Sequence, residues 1–126
     1  MRQYSPQVWE HFRHPRNAGI PVGSTECVGR GCAAEAGVEV EFVAVMGQGD
    51  ILTAVGWECL GCPQSIASCS WASERARQSG GVNLPSALDM QRALGLTSDA
   101  LSRALVVEDA LHAAVADARK RRDEVT

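Results

Sequence analysis

Cys59 and Cys62 form the one compact ligand motif in the sequence, a CxxC pair that could bind metal or carry out thiol chemistry. Such a pair serves zinc sites, iron-sulfur sites and redox dithiols alike. Pro63 follows Cys62 directly and favours the first turn of a helix, whose unpaired N–H groups and positive dipole end stabilise a thiolate. Because the thiolate is the form that binds metal and attacks sulfur, Cys62 is predicted to be the reactive thiol.

Two further cysteines, Cys27 and Cys32, precede the motif in a segment predicted to be a loop. Together with Cys59 and Cys62 they could complete a four-cysteine site for zinc or an iron-sulfur cluster. A competing interpretation makes Cys27 a small hydrophobic residue of a strand, so that only Cys32 approaches the site. The sequence supports both interpretations.

The remaining candidate ligands are predicted to have structural roles. Cys69 lies seven residues after Cys62, about 10 Å farther along a helix, and is expected to pack in the core rather than share a metal ion with Cys62. None of the three histidines has ligand spacing from a cysteine, and we expect each at the surface or an interface. They are His11, His14 and His112.

Length and composition narrow the class of protein. The chain has 126 residues, 45% of them hydrophobic, which is enough for one domain spanning residues 1–126 and too little for two. A formal net charge of -3 disfavours nucleic acid as a partner. The first twenty residues contain no apolar signal segment, and no run approaches the roughly 20 apolar residues that span a bilayer. We therefore expect a cytoplasmic protein with reduced thiols and no membrane partner.

The hydrophobic pattern predicts one hairpin and four helices. Alternation over residues 38–46 and a turn at 47–50 predict a hairpin whose second strand covers residues 51–59. Capping residues and helical periodicity predict helices at residues 6–13, 62–79, about 86–94 and about 98–123. Residues 17–31 are glycine-rich and predicted to be irregular, with room for one edge strand. This order predicts an α+β fold with a small antiparallel sheet of about three strands packed against helices.

Three segments of the chain carry a family resemblance. They are Tyr4-Ser5-Pro6 with His14-Pro15-Arg16-Asn17-Ala18-Gly19, then Gly61-Cys62-Pro63-Gln64-Ser65-Ile66-Ala67-Ser68-Cys69-Ser70, and finally Glu108-Asp109-Ala110. Their order and spacing resemble the YS…PRNxG, GCxxxIASSS and EDA patterns of the IscU/NifU family of iron-sulfur cluster assembly scaffolds. The resemblance extends over nearly the whole chain.

The resemblance implies an α+β sandwich and a carrier rather than a conventional enzyme. Members of the family receive sulfur from a cysteine desulfurase, assemble a [2Fe-2S] cluster on three cysteines and an aspartate or histidine, and pass it to cluster-accepting proteins. Cys62 corresponds to the central cysteine of that family. The desulfurase and the cluster-accepting proteins are therefore the expected partners of this chain.

The chain departs from the family pattern at the other two cysteines. Ungapped alignment places Ala36-Gly37-Val38 where the family has Cys-Gly-Asp, and Ser102-Arg103 where it has His-Cys. A fixed cation at Arg103 is expected to repel metal cations and to stabilise a nearby thiolate or persulfide. The LPPVK segment that the family offers to a chaperone corresponds to residues 96–100, where it is not preserved.

These departures define the functional expectation. The first hypothesis is a scaffold-like protein that binds a [2Fe-2S] cluster or zinc through a rearranged set of Cys32, Cys59 and Cys62, with Cys27 as a possible member. The second is a sulfur relay in which Cys62 accepts a persulfide and Arg103 stabilises it. The third is a regulator that docks on the desulfurase without holding a cluster.

Overall fold

A computed structural model of the protein describes residues 4–21 and 27–125. The described elements, in chain order, are α1 (Pro6–Arg13), β1 (Cys27–Glu35), β2 (Val38–Met46), β3 (Leu52–Leu60), α2 (Pro63–Gln78), α3 (Ala87–Leu94), a 3-10 turn (Ser98–Ala100) and α4 (Leu101–Val125). The sheet is antiparallel with strand order β1-β2-β3. This arrangement confirms the predicted α+β class.

Strand β1 is the edge strand for which the sequence left room, and it replaces most of the irregular segment expected before the hairpin. Nine residues, Cys27–Glu35, pair with the whole of β2. The connection is the two-residue turn Ala36-Gly37, in which both residues have positive φ, 54° and 79°. Two positive φ angles give a turn whose twist matches that of paired strands. Cys27 and Cys32 therefore lie in a strand and not in a loop.

The glycines that suggested a loop are explained by the packing of α4 against β1. A Cβ atom at Gly29 would lie 2.2 Å from the backbone nitrogen of Ala118, and one at Gly31 would lie 2.2 Å from the carbonyl oxygen of Ala110. Neither position has room for a side chain. Glycine in β1 and alanine in α4 thus let the helix backbone approach the sheet closely.

The core lies between one face of the sheet and the two long helices. The β2 residues on this face are all buried, and α4 packs across β1 and β2 while α2 packs against β3. These β2 residues are Val38, Val40, Phe42, Ala44 and Met46. On the last helix, the residues that face the sheet are buried: Ala104, Val107, Leu111, Ala114 and Ala118. No helix among the described residues has the length and hydropathy needed to cross a membrane.

Helix α1 and the segment after it are joined to α2 by hydrogen bonds that are buried or partly buried. The ring of His11, 8% exposed, lies 2.7 Å from the hydroxyl of Ser70, which also accepts from the backbone N–H of Arg16 at 2.9 Å. Asn17 donates to the hydroxyl of Ser73 at 3.1 Å. The Arg-Asn motif thus has a structural role. His11, expected at the surface or an interface, is buried between α1 and α2, where it pairs with Ser70.

Candidate functional site

Cys62 is the residue that caps the N-terminus of α2. Its backbone is extended, with φ -92° and ψ 170°, and Pro63 occupies the first helical position. The half-buried thiol makes no regular capping hydrogen bond, yet it lies near enough to the N–H groups of Gln64 and Ser65 for them to act on its sulfur. The sequence-based prediction of a thiol at a strand-to-helix junction is confirmed.

Ser65 connects the two cysteines of the CxxC motif. Its hydroxyl donates to the carbonyl oxygen of Cys62 at 2.9 Å, and the Sγ atom of Cys59 lies 3.7 Å from the same hydroxyl. Cys69 lies one helical turn beyond Ser65 and is fully buried, as predicted. The Cys69 thiol also hydrogen-bonds to Cys59. Cys62, Ser65, Cys59 and Cys69 are therefore linked in that order by contacts between β3 and α2.

The three thiols, those of Cys59, Cys62 and Cys69, differ in acidity. Burial raises the pKa of Cys62, but the backbone N–H and hydroxyl of Ser65, the charge of Arg103 and the N–H of Gln64 bring that pKa below its ordinary value. The hydrogen bond from Cys69 is the main reason that the pKa of Cys59 falls to about 7. Burial raises the pKa of Cys69 well above the ordinary range. Cys59 and Cys62 are therefore the thiols primed for nucleophilic or ligand chemistry.

Arg103, in the first turn of α4, supplies the positive charge near Cys62. Its side chain is only 19% exposed, and Nη2 lies 3.7 Å from a carboxylate oxygen of Asp99 one turn earlier. The Nε and Nη2 atoms are buried and find no hydrogen-bond acceptor among the described residues. The residue predicted to modulate the site thus carries a largely buried charge that acts on the predicted reactive thiol.

A polar clamp attaches the turn before α4 to the start of α2. The buried Gln64 amide accepts from the backbone N–H of Thr97 at 2.9 Å and from its hydroxyl at 3.2 Å, and its Nε2 donates to that hydroxyl at 3.0 Å. Sequence reasoning missed Gln64, Ser65 and Thr97 as parts of the site. The position of Ser65, three residues after an N-cap, was the one available signal.

The β1–β2 turn lies at the same end of the sheet. A Cβ atom at Gly61 would lie 2.3 Å from Oγ of Ser65 and 3.3 Å from Cγ1 of Val38, so Val38 borders the site. Val38 is 2% exposed and belongs to the core. Restoring the aspartate of the family pattern at this position would bury a carboxylate with no partner, at a large cost in stability.

The structure does not bring the whole predicted cysteine set together. Cys32 pairs with Glu41 and lies on the outer face of the sheet, with its Sγ 3.6 Å from that carboxylate, whereas Cys59 pairs with Val40 on the core face. Cys27 pairs with Met46, six residues along β2 from Val40, which is about 20 Å at strand spacing. Within residues 4–21 and 27–125, no three His, Cys, Asp or Glu side chains group as metal ligands.

Comparisons with known proteins agree with this geometry. Residues 3–125 match the family model of the NifU-like N terminal domain. Iron sulfur cluster assembly protein 2, mitochondrial, of Saccharomyces cerevisiae is 30% identical over 97% of this chain and 81% of its own length. The iron-sulfur cluster assembly scaffold protein IscU of Rickettsia prowazekii is 29% identical over 95% of both chains.

A solved structure is similar at the level of the fold. It is that of a candidate iron-sulfur cluster assembly scaffold protein for the SUF system of Fervidobacterium islandicum AW-1. The TM-score is 0.57, with 15% identity, and the similarity covers 89% of this chain and 96% of that protein. The antiparallel sheet, the covering helices, the Cys62 helix start and the family match over residues 3–125 lead to one assignment. The chain belongs to the NifU-like N-terminal domain family.

Proposed function

We propose that this chain acts in iron-sulfur cluster assembly, as a carrier of sulfur-containing cargo and not as an enzyme. Family membership and the names of its relatives support the process. The single observation that carries the role of this chain is the Cys62 thiol, presented at the start of α2 with a lowered pKa. Cys62 is the residue that we assign to sulfur acceptance.

The proposed step is the transfer of one sulfur atom from a cysteine desulfurase. The Cys62 thiolate attacks the outer sulfur of a persulfide on the donor enzyme, and a new sulfur–sulfur bond forms on Cys62. The bond in the donor persulfide breaks at the same time, and the donor cysteine leaves as its thiolate. The transfer needs no external oxidant or reductant. A lowered pKa favours it, because the attacking group is the thiolate.

Cys59 is the second proposed contact of the cargo. It is the one other member of the predicted set that lies on the core side of the sheet at the Cys62 end. Cys32 and Cys27 lie too far away in this fold to be added to the proposal. Two thiolates are an incomplete ligand set for a [2Fe-2S] cluster, so we propose that partner thiols supply the remaining ligands.

The desulfurase and the cluster-accepting proteins are the proposed partners. We propose the cytoplasm as the compartment because a reducing environment preserves thiols, and all five cysteines of this chain are free. The yeast relative carries the word mitochondrial in its name. Fractionation of the source cells, followed by immunodetection of this chain, tests the compartment.

The test of the function compares Cys62→Ser with Cys32→Ser. Each purified chain is incubated anaerobically with a cysteine desulfurase and free cysteine, and intact mass spectrometry then measures the added sulfur. We expect sulfur on the wild type and on Cys32→Ser, whose thiol lies on the outer face of the sheet. Cys62→Ser should carry none while keeping its helical circular dichroism. Equal sulfur loading of Cys62→Ser would overturn the assignment.

Cluster retention is measured in a second assay. The same chains are reconstituted anaerobically with ferrous iron and sulfide, and visible absorption and iron content are read with and without an added dithiol. Retention that depends on Cys62 and Cys59 supports the scaffold role. Sulfur loading without any retention would leave a sulfur relay as the function.

A further inference from the structure

Arg103 lies near enough to Cys62 for its positive charge to act on the thiol, and two of its donor atoms have no acceptor in the described part of the chain. Nε and Nη2 are buried without an acceptor among the described residues. The carboxylate of Asp99 lies 3.7 Å from Nη2, which is beyond hydrogen-bond range, and that side chain is 52% exposed. Buried donors without acceptors are costly and rare. The surroundings of Arg103 therefore lack an acceptor, and an anionic one suits a guanidinium best.

We infer that the missing acceptor is the outer sulfur of a Cys62 persulfide, and that Arg103 makes this site select anionic sulfur cargo over free divalent cations. The inference rests on the proposed function of Cys62. Nothing in the family resemblance assigns this role, because the family has a cysteine where this chain has Arg103.

The surrounding residues hold the two groups in place. Gln64, two residues after Cys62, grips Thr97 through three hydrogen bonds, and α4 follows from that turn with Arg103 in its first turn. The charge of Arg103 acts on the Cys62 sulfur. A persulfide extends the thiol by one sulfur–sulfur bond of about 2 Å, which moves the anionic atom outward from the helix start.

The chemistry of the guanidinium determines which cargo it favours. Its charge cannot be removed at working pH, and its planar fork can donate two hydrogen bonds to one anion. The same fixed charge repels Zn²⁺ or Fe²⁺ approaching Cys62, since like charges in a partly buried site interact strongly. A thiolate-ligated [2Fe-2S] cluster is anionic overall and is attracted, so Arg103 excludes bare cations without excluding the finished cluster.

The test loads Cys62 without using a desulfurase. In a Cys27→Ser, Cys32→Ser and Cys59→Ser background, the Cys62 thiolate takes the terminal sulfur of inorganic polysulfide, which is left one sulfur shorter. Dithiothreitol then removes the outer sulfur as hydrosulfide and becomes its cyclic disulfide. Mass spectrometry at timed intervals gives the rate of this reduction.

The variants separate charge from hydrogen-bond geometry. Arg103→Gln removes both, and we expect its persulfide to be reduced about tenfold faster, because an anion held by charge-assisted hydrogen bonds resists attack by a second thiolate. Arg103→Lys keeps the charge but lacks the planar guanidinium with its paired donors. Its persulfide should be reduced at a rate between those of the parent background and Arg103→Gln. Arg121→Gln is the matched control, since Arg121 lies on the same helix, is 60% exposed and pairs with Asp117. It should match the parent background.

A zinc titration of the chain with Cys59 present supplies the second measurement. Arg103→Gln should bind Zn²⁺ about tenfold more tightly than wild type, as expected for removing a like charge from a partly buried site. Equal reduction rates and equal zinc affinities in wild type and Arg103→Gln would overturn the inference. Failure of desulfurase-dependent transfer would overturn the proposed function alone, because polysulfide loading and zinc binding do not use the desulfurase.

Discussion

Gln64 at the start of α2 and Thr97 before α4 are joined by three hydrogen bonds of 2.9, 3.0 and 3.2 Å. Gln64 is 1% exposed, so water cannot replace this pairing. The two residues are 33 positions apart in the chain, yet they fix the helix that carries Cys62 to the turn that leads to Arg103. The geometry of the site therefore depends on Gln64, a residue that neither binds the cargo nor reacts with it.

Replacing Gln64 with alanine is expected to lower the free energy of unfolding by about 2 kcal/mol, because the buried N–H of Thr97 loses its acceptor. Urea denaturation followed by circular dichroism measures the change. Gln78→Ala is the control, since Gln78 is exposed on the same helix and should change stability by less than about 0.5 kcal/mol. Equal stabilities of the two variants would contradict the role of the clamp.

The acidity of Cys59 predicts a pH dependence. Its pKa is lowered to about 7, chiefly by the Cys69 hydrogen bond, so the rate of its alkylation should rise with pH and reach half its maximum near pH 7. Cys69→Ala removes the donor and should shift this midpoint upward. Cys69→Ser keeps a donor and should leave it near its original pH. The rates are measured with iodoacetamide in a Cys27→Ser, Cys32→Ser and Cys62→Ser background, and an unmoved midpoint in Cys69→Ala would refute the assignment.

The β1–β2 turn offers a stabilising substitution. Ala36 has a φ of 54°, a left-handed conformation that costs a residue with a Cβ atom about 1 kcal/mol relative to glycine. Ala36→Gly should therefore raise the thermal midpoint by a few degrees. Ala34→Gly, two residues earlier in the exposed part of β1, should lower it, because glycine weakens a strand. Calorimetry on the two variants checks the opposite signs.

The contact between β1 and α4 predicts a severe effect from one methyl group. A Cβ atom at Gly31 would lie 2.2 Å from the carbonyl oxygen of Ala110 and 2.4 Å from the backbone nitrogen of Ala114. Gly31→Ala should cost about 3 kcal/mol of stability, since backbone cannot move aside as a side chain can. Ala34→Val, on the exposed face of the same strand, should be nearly neutral. An unfolding curve for Gly31→Ala that overlays wild type would contradict the close packing.

The sequence predicted those parts of the fold that depend on local pattern. The helix start after Ser5, the alternation in β2 and the position of Cys62 at a helix start all agree with the structure. The sequence left room for one edge strand before the hairpin but did not give the extent of β1. Gly29 and Gly31 have low strand propensity, and the reason for them is a contact with α4 more than 75 residues away.

The cysteine arrangement required knowledge that the sequence does not contain. Alternate residues of a strand point to opposite faces, so whether Cys32 shares a side with Cys59 depends on the pairing register. The structure pairs Cys32 with Glu41 and Cys59 with Val40, one residue apart in β2, and this single step puts the two thiols on opposite faces. Cys62 and Arg103 could be identified as site residues from the sequence because each lies at a fixed spacing within a motif of the family pattern.

The small residues that let α4 pack closely on β1 also fix the position of Arg103 along the helix axis. Ala110 and Ala118 lie against glycines, so the helix has one register in which its backbone fits the sheet. Arg103 stands seven residues before Ala110, two turns of helix or about 10 Å. Inserting one residue between them would rotate the guanidinium by about 100° away from Cys62 while leaving that packing intact. The chemistry of this site therefore depends on the number of residues between Arg103 and Ala110. A protein that keeps every site residue could still lose the electrostatic action of Arg103 on Cys62 if that number changed.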